Sequence, residues 1–204
     1  SRAIELYYRP TIILTKGSDN TLVGSARSVR GFDVHAALEK CSEHLIQFGG
    51  HMYAAGMTLK SEKLDDFREA FEAAGADLLT EELLTPKVYY DAELDINDVN
   101  YRFYSIINKM APFGPANMTP VFYANGLKDD GTGKIIGKTA EHLKLNLKRP
   151  SGPIPALAFG MADQFPAIKK ADSFEACFQI NENIFRGNRT LQLMLKDIRI
   201  TNDV

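Results

Sequence analysis

The stretch His142-Leu143-Lys144-Leu145-Asn146-Leu147-Lys148 alternates polar and apolar residues without a break. Successive side chains of an extended strand point to opposite faces, so this pattern predicts a half-buried strand with its leucines inward and its His, Lys and Asn outward. A helix would scatter the same leucines around its circumference. It is the clearest of a series. Val121-Phe122-Tyr123, 133–137, 154–159, 174–180 and 191–200 also read as strands, with turn residues between them. Several short strands punctuated in this way predict a small β-barrel.

Upstream the period is different. Ala111-Pro112-Phe113-Gly114-Pro115-Ala116-Asn117 is too rich in Pro and Gly for helix or strand and is predicted as a shaped loop. Before it, 97–110 reads as a helix capped by Asn97. Over 61–78, Ser61 opens a helix with Leu64, Phe67, Phe71, Ala74 and Leu78 on one face. Over 34–48, Asp33 is the N-cap of a helix and Gly49 its stop. Thr11-Ile12-Ile13-Leu14 is predicted as a buried strand, with 22–28 and 54–60 as two more. Acidic residues dominate 61–98, and Thr85-Pro86 interrupts the pattern. The expected fold is therefore α+β: a mixed α/β domain over 1–85, then a barrel with a preceding helix over 86–204.

A chain that is 45% hydrophobic and 25% charged can build ordinary cores. Its formal net charge of -2 argues against bulk electrostatic capture of nucleic acid, so such binding needs a local patch. No run approaches the length of a membrane span. Cys41 and Cys177 lie far apart in apolar stretches and read as reduced core thiols of a cytoplasmic protein. The one basic patch comprises Lys134, Lys138, Lys144, Lys148 and Arg149, with Phe113, Phe122 and Tyr123 nearby in sequence. A basic strand face with aromatic side chains is how a barrel holds a nucleic-acid single strand. Phe113, Lys138, His142 and Lys144 are the candidates for that work; solvated lysines and core phenylalanines are the alternative.

Two further runs carry chemistry. Gly24-Ser25-Ala26-Arg27-Ser28 collects two hydroxyls, a guanidinium and unhindered backbone amides, which is what a phosphate group needs. Gly49-Gly50-His51 sets a titratable side chain behind two glycines, where a ligand can approach the backbone closely. A solvated turn and a helix cap with a surface His are the plainer readings. His35 and His44 fall on opposite sides of the predicted helix, and no cluster has metal-ligand spacing. With neither a nucleophile elbow nor a Gly-Lys-Ser/Thr phosphate loop, the chain carries no complete catalytic apparatus.

Taken with Ser1-Arg2, Tyr8-Arg9-Pro10-Thr11-Ile12-Ile13, Gly31-Phe32-Asp33 and Ala54-Ala55-Gly56, these runs resemble the DHH-associated domain of the RecJ-like family of single-strand-specific DNA exonucleases. The second half is similar to the same family through Pro112-Phe113-Gly114-Pro115-Ala116-Asn117, His142-Leu143-Lys144-Leu145 and 181–187, where the family carries an oligonucleotide-binding (OB) barrel. The resemblance implies that Ser25, Arg27 and Ser28, with Arg2 nearby, hold the 5′-phosphate. It implies that Gly49 and Gly50 belong to the same substrate- and 5′-phosphate-binding set, and that His51 acts catalytically beside the scissile bond. It further implies a C-terminal fragment that binds single-stranded DNA and is inactive by itself. The family's manganese or magnesium would be held in an upstream domain, with no cofactor bound by these residues and repair proteins as candidate partners of the barrel. A DHH-type phosphodiesterase of small nucleotides and a non-enzymatic OB adaptor are the rival readings.

Overall fold

The chain divides into two units, Ser1–Lys87 and Val88–Val204. The structure, a computed structural model, describes residues 2–200, apart from the side chains of Arg2 and Glu5.

The first unit runs α1 (Arg2–Tyr7), β1 (Thr11–Lys16), β2 (Thr21–Arg27), α2 (Val34–Lys40), β3 (Gln47–His51), β4 (Ala54–Lys60) and α3 (Leu64–Leu78). Its strands form an antiparallel sheet in the order β1-β2-β4-β3. Ala26, Ala55, Met57 and Leu59 of the sheet pack with Val34, Ala37 and Leu38 of α2 and Phe67 and Ala74 of α3. Burying each large side chain here, such as Leu38 or Leu59, contributes about 1.5–3 kcal/mol. Asp33 caps α2 as expected, accepting from the His35 and Ala36 amides at 2.9 and 3.0 Å.

Three expectations fail in this unit. The helix predicted over 34–48 stops at Lys40, and Cys41 leaves helical geometry at φ -103° and ψ 11°. Ser42–His44 is a short 3-10 turn, so His44 shares no helix with His35. Leu45 and Ile46 then lead into β3. The Ile46 amide donates to the Thr58 carbonyl at 2.8 Å, so sheet pairing captures the segment. Gly49 therefore lies inside a strand and stops no helix. The strand predicted as buried, β1, is half exposed, with Ile13 60% exposed, because it edges a sheet covered on one face only. Ser61 opens a 3-10 turn, and α3 starts at Leu64 without a side-chain cap.

The second unit runs β5 (Ala92–Glu93), α4 (Tyr101–Asn108), β6 (Phe122–Leu127), β7 (Lys134–Ile136), β8 (His142–Leu147), β9 (Ile154–Ala158), α5 (Phe165–Lys170), β10 (Phe174–Phe185) and β11 (Asn188–Ile200). Strand order is β5-β6-β10-β11-β9-β8-β7, with β9 parallel to β11. A bridge between Asp129 and Leu147 brings the chain after β6 back to β8. The Lys148 amide reinforces it by donating to Lys128 O at 2.8 Å. The strands β6-β10-β11-β9-β8 thereby curl around one core, in which Leu143, Leu145, Leu147, Phe174, Phe178 and Leu193 are fully or almost fully buried.

Here the helix expected over 97–110 is shorter. Asn100 caps α4 through the Phe103 amide at 3.0 Å, whereas Asn97 sits in a 3-10 turn capped by Asp95. Cys41 is buried, but Cys177 is only half buried, because its position on β10 alternates outward between Ala176 and Phe178. Asn117 ties the Pro/Gly loop together by donating to the carbonyls of Met110 and Pro112 at 2.9 and 3.0 Å.

Candidate nucleic-acid interface

In the first unit, the register of the sheet assembles the two sequence runs. Thr11, Arg27, Ala54 and His51 lie side by side across β1, β2, β4 and β3. Ile13, Ser25, Gly56 and Gly49 form the adjacent row. Directly opposed residues share a face, so both rows project away from the helices. Ser25, Arg27, Gly49 and His51 are all exposed there. Arg27 and His51 stand two strand spacings apart, roughly 10 Å, across a floor made of Ala54, Gly56 and Gly49.

The two glycines of the run differ in kind. Gly50 has φ 150°, and a β-carbon there would collide with the Ala54 carbonyl and lie 2.5 Å from the Ala55 Cα. The fold needs that glycine. A β-carbon at Gly49 would meet nothing within 4 Å, so no internal contact asks for its smallness. Its smallness leaves room above the sheet.

The Arg27 guanidinium donates to Ser25 Oγ at 2.7 Å and to Ala26 O at 2.8 Å, and among the described residues no carboxylate pairs with it. Its remaining donors face solvent, a suitable arrangement for a phosphate. The Tyr53 amide donates to His51 Nδ1 at 3.2 Å, with the two rings edge to face at 6.2 Å. That bond keeps the neutral imidazole as its Nε2–H tautomer, a donor toward the open face. Ser28 is placed differently. Its hydroxyl donates to Phe32 O at 2.6 Å and its amide to Tyr53 O at 3.0 Å, so it braces the turn after β2. The side chain of Arg2 lies outside the described residues.

In the second unit, Lys134 and Lys144 are directly opposed on β7 and β8. Like charges held opposite each other are destabilising unless an anion lies over them. Leu157 and Met194 continue the Lys144 row onto β9 and β11. His142 is next along β8; its Nδ1 accepts from the Gly160 amide at 3.1 Å and its ring meets Phe159 edge to face at 4.9 Å. Phe159 is 55% exposed and offers an aromatic face that the periodicity hid, since it reads as the last residue of a buried strand. Lys138 is exposed in the connection between β7 and β8. Phe113 packs one side against the barrel core and is half-buried there.

Arg149 leaves the basic patch. Its guanidinium donates to Gly152 O at 2.8 Å and Val99 O at 2.6 Å, tying the segment before α4 to the barrel. Partial burial pulls its pKa below the ordinary arginine value. Around β5, β6, β10 and β11 the outer face carries Glu93, Glu175 and Asp197, with Arg199 paired to Glu175 at 2.8 Å, and is acidic on balance. Tyr123, stacked on Tyr90 at 5.1 Å, has its phenol pushed up, first by burial and then by its hydrogen bond to Glu175. Burial and Asp197 raise the Cys177 thiol. The barrel surface thus separates a basic, aromatic face from an acidic one.

The chain matches the family model of the RecJ OB domain over residues 90–197 and that of the DHHA1 domain over 1–76. It is 30% identical over 203 residues to the single-stranded-DNA-specific exonuclease RecJ of Bacillus subtilis, covering 98% of this chain and 26% of that protein. To the protein of the same name from Haemophilus influenzae it is 32% identical over 206 residues, covering 96% and 35%. It therefore spans about a quarter to a third of the length of these curated relatives. The crystal structure of RecJ from Thermus thermophilus in complex with Mn2+ matches with a TM-score of 0.78 at 21% identity, over 100% of this chain and 28% of that one. That likeness concerns the fold.

Proposed function

Because the chain belongs to the RecJ OB domain family, we propose that it is the strand-holding part of a longer exonuclease that hydrolyses single-stranded DNA from its 5′ end during repair and recombination. The observation that carries this reading is the row Arg27-Ala54-His51 with the exposed, small-residue row Ser25-Gly56-Gly49 beside it. Arg27 and Ser25 take the 5′-phosphate. His51, held by the Tyr53 amide, donates Nε2–H to a phosphate oxygen near the scissile bond. The face bearing Lys134, Lys144, His142 and Phe159 holds further nucleotides by charge and stacking.

Among the described residues no group of three His, Cys, Asp or Glu could hold a metal ion. In this reading manganese or magnesium, which would activate water and stabilise the phosphoryl charge, is held by the rest of the longer protein. The chain itself binds DNA without cleaving it. Its setting is the cytoplasm, with repair proteins as further partners of the barrel.

Fluorescence anisotropy with a labelled single strand, with and without a 5′-phosphate and at two salt concentrations, tests the assignment. The single strand should bind in preference to duplex, and the phosphate should add about tenfold in affinity, since charge-assisted hydrogen bonds are worth about 1.5–3 kcal/mol. Arg27→Ala should erase that increment alone. Lys144→Ala should weaken binding of every strand and reduce the salt slope by about 0.7. A phosphate increment that survives Arg27→Ala, or no binding at low salt, would overturn the reading.

A further inference from the structure

The hairpin formed by β10 and β11 is longer than the barrel uses. β10 pairs with β6 only between Phe174 and Phe178, and β11 pairs with β9 only between Leu193 and Leu195. Beyond them, the pairs from Asn181↔Gln192 to Phe185↔Asn188 have no neighbouring strand. Leu191, opposite Glu182, still packs in the barrel core, so the free part is 183–190, which at about 3.3 Å per residue extends for roughly 10 Å. Every residue from 183 to 190 is exposed. Arg186 and Gly187 close it with φ of 50° and 82°, the two positive values of the tight turn that matches strand twist, so the tip is held and not splayed.

Both faces of the tip carry an apolar side chain. On the outer face, which continues the row of Gln179 and Asn181, Phe185 is 62% exposed and the Arg186 guanidinium lies 5.2 Å from its ring centroid. On the opposite face, Ile184 is 59% exposed and directly opposed to Arg189. Each face thus offers an apolar group against a base, and the Phe185 face adds the Arg186 guanidinium for the adjoining phosphate. Nearby, Glu182 is already paired with Arg189 at 3.4 Å. Asn183, Asn188 and Thr190 supply neutral polar groups beside the tip. A cationic tip with apolar groups on both faces is complementary to two nucleic-acid strands parting around it.

We propose that this arm is a strand-separating wedge that engages the boundary between a single-stranded tail and duplex DNA. The inference rests on the single-strand reading above and adds a substrate class to it, the tailed duplex. The ring of Phe185 stacks on the base of one strand at the junction, while Ile184 abuts the other. Arg186 holds the phosphate of the strand beside Phe185, while Arg189 stays paired with Glu182 and braces the arm.

The test compares binding of a single-stranded tail with that of the same tail attached to a duplex, carrying 2-aminopurine at the first paired position. The wild-type chain should bind the tailed duplex about tenfold more tightly than the tail, the scale of one stacked base, and the 2-aminopurine should brighten as it unstacks. Phe185→Ala and Ile184→Ser are exposed substitutions; each should remove the excess and the brightening while leaving the plain tail bound as before. Equal affinity for tail and tailed duplex overturns the wedge even where the tail binds well. So does an excess that survives both substitutions, which would assign the arm to a protein contact. A tail that does not bind, beside a tailed duplex whose affinity depends on Phe185, would sink the single-strand reading and retain the wedge.

Discussion

Replacing Gly50 by Ala and, separately, Gly49 by Ala should have opposite consequences, though the two residues are neighbours in one strand. At Gly50, φ 150° is a conformation that costs a residue with a β-carbon about 1–3 kcal/mol. The new methyl would also press on Ala54 O, Ala55 Cα and Ala55 Cβ, two of them backbone atoms of the paired strand β4 that cannot swing aside. Overpacking of that kind adds about 1–3 kcal/mol. Together the penalty is about 4 kcal/mol. For a domain the size of Ser1–Lys87 each kcal/mol lowers the melting temperature by about 4–8 °C, which sums to a fall of about 15–30 °C. At Gly49 the methyl meets open space, and Ala in a strand is more stable than Gly by about 0.5–1 kcal/mol. Gly49→Ala should therefore melt at or slightly above the wild-type temperature, yet bind the 5′-phosphorylated strand less tightly, since the methyl rises from the row of Ser25 and Gly56, beside that of Arg27 and His51. Differential scanning calorimetry of the three proteins, followed by anisotropy on Gly49→Ala, reads both effects. The reasoning fails if Gly50→Ala loses less than about 1 kcal/mol, or if Gly49→Ala loses as much stability as Gly50→Ala.

Arg149→Ala should destabilise the barrel unit by about 2 kcal/mol in urea titrations, because it strands the carbonyls of buried Val99 and half-buried Gly152. The salt dependence of DNA binding should not change, and a slope reduced as for Lys144→Ala would return Arg149 to the strand-binding face. Tyr123→Phe should flatten the alkaline limb of stability. A phenol whose folded pKa lies above its ordinary 10.0 contributes stability that is present below pH 10 and lost as pH rises through the higher folded value. Melting temperatures measured from pH 8 to 11 check this, and parallel curves for the two proteins would refute it.

Residues 142–147 show what was legible from the chain itself. The alternation predicted β8 with its leucines buried, and the structure has them all at 0% exposure. Asp33 likewise announced α2, since an N-cap carboxylate acts on amides only two and three residues away. The end of that helix was not legible. Cys41 and Leu45 sustain the helical period past Lys40, and only the waiting edge of β4 makes Gln47–His51 the better strand. Arg149 and Lys144 looked alike in sequence, but one turns to buried carbonyls 50 residues away and the other opposes Lys134. Phe113 is half-buried against the barrel while Phe159 is 55% exposed, a difference decided by elements distant along the chain.

Local pattern alone was enough to place most strands of the barrel and the cap of α2, and to single out the candidate phosphate-binding inventory around Arg27. Each depends on residues within one turn or one strand, where spacing dictates which side chains share a face. The rows that make the inventory a site arose only when β2, β3 and β4 paired. Register is a property of the pairing and not of any one strand, and a slip of one residue would send Arg27 or His51 to the buried face. The arm between Asn181 and Gln192 is similar in kind. The sequence pattern marks strands only over 174–180 and 191–200; mutual pairing carries both on through the arm, which protrudes because β6 and β9 end before it does.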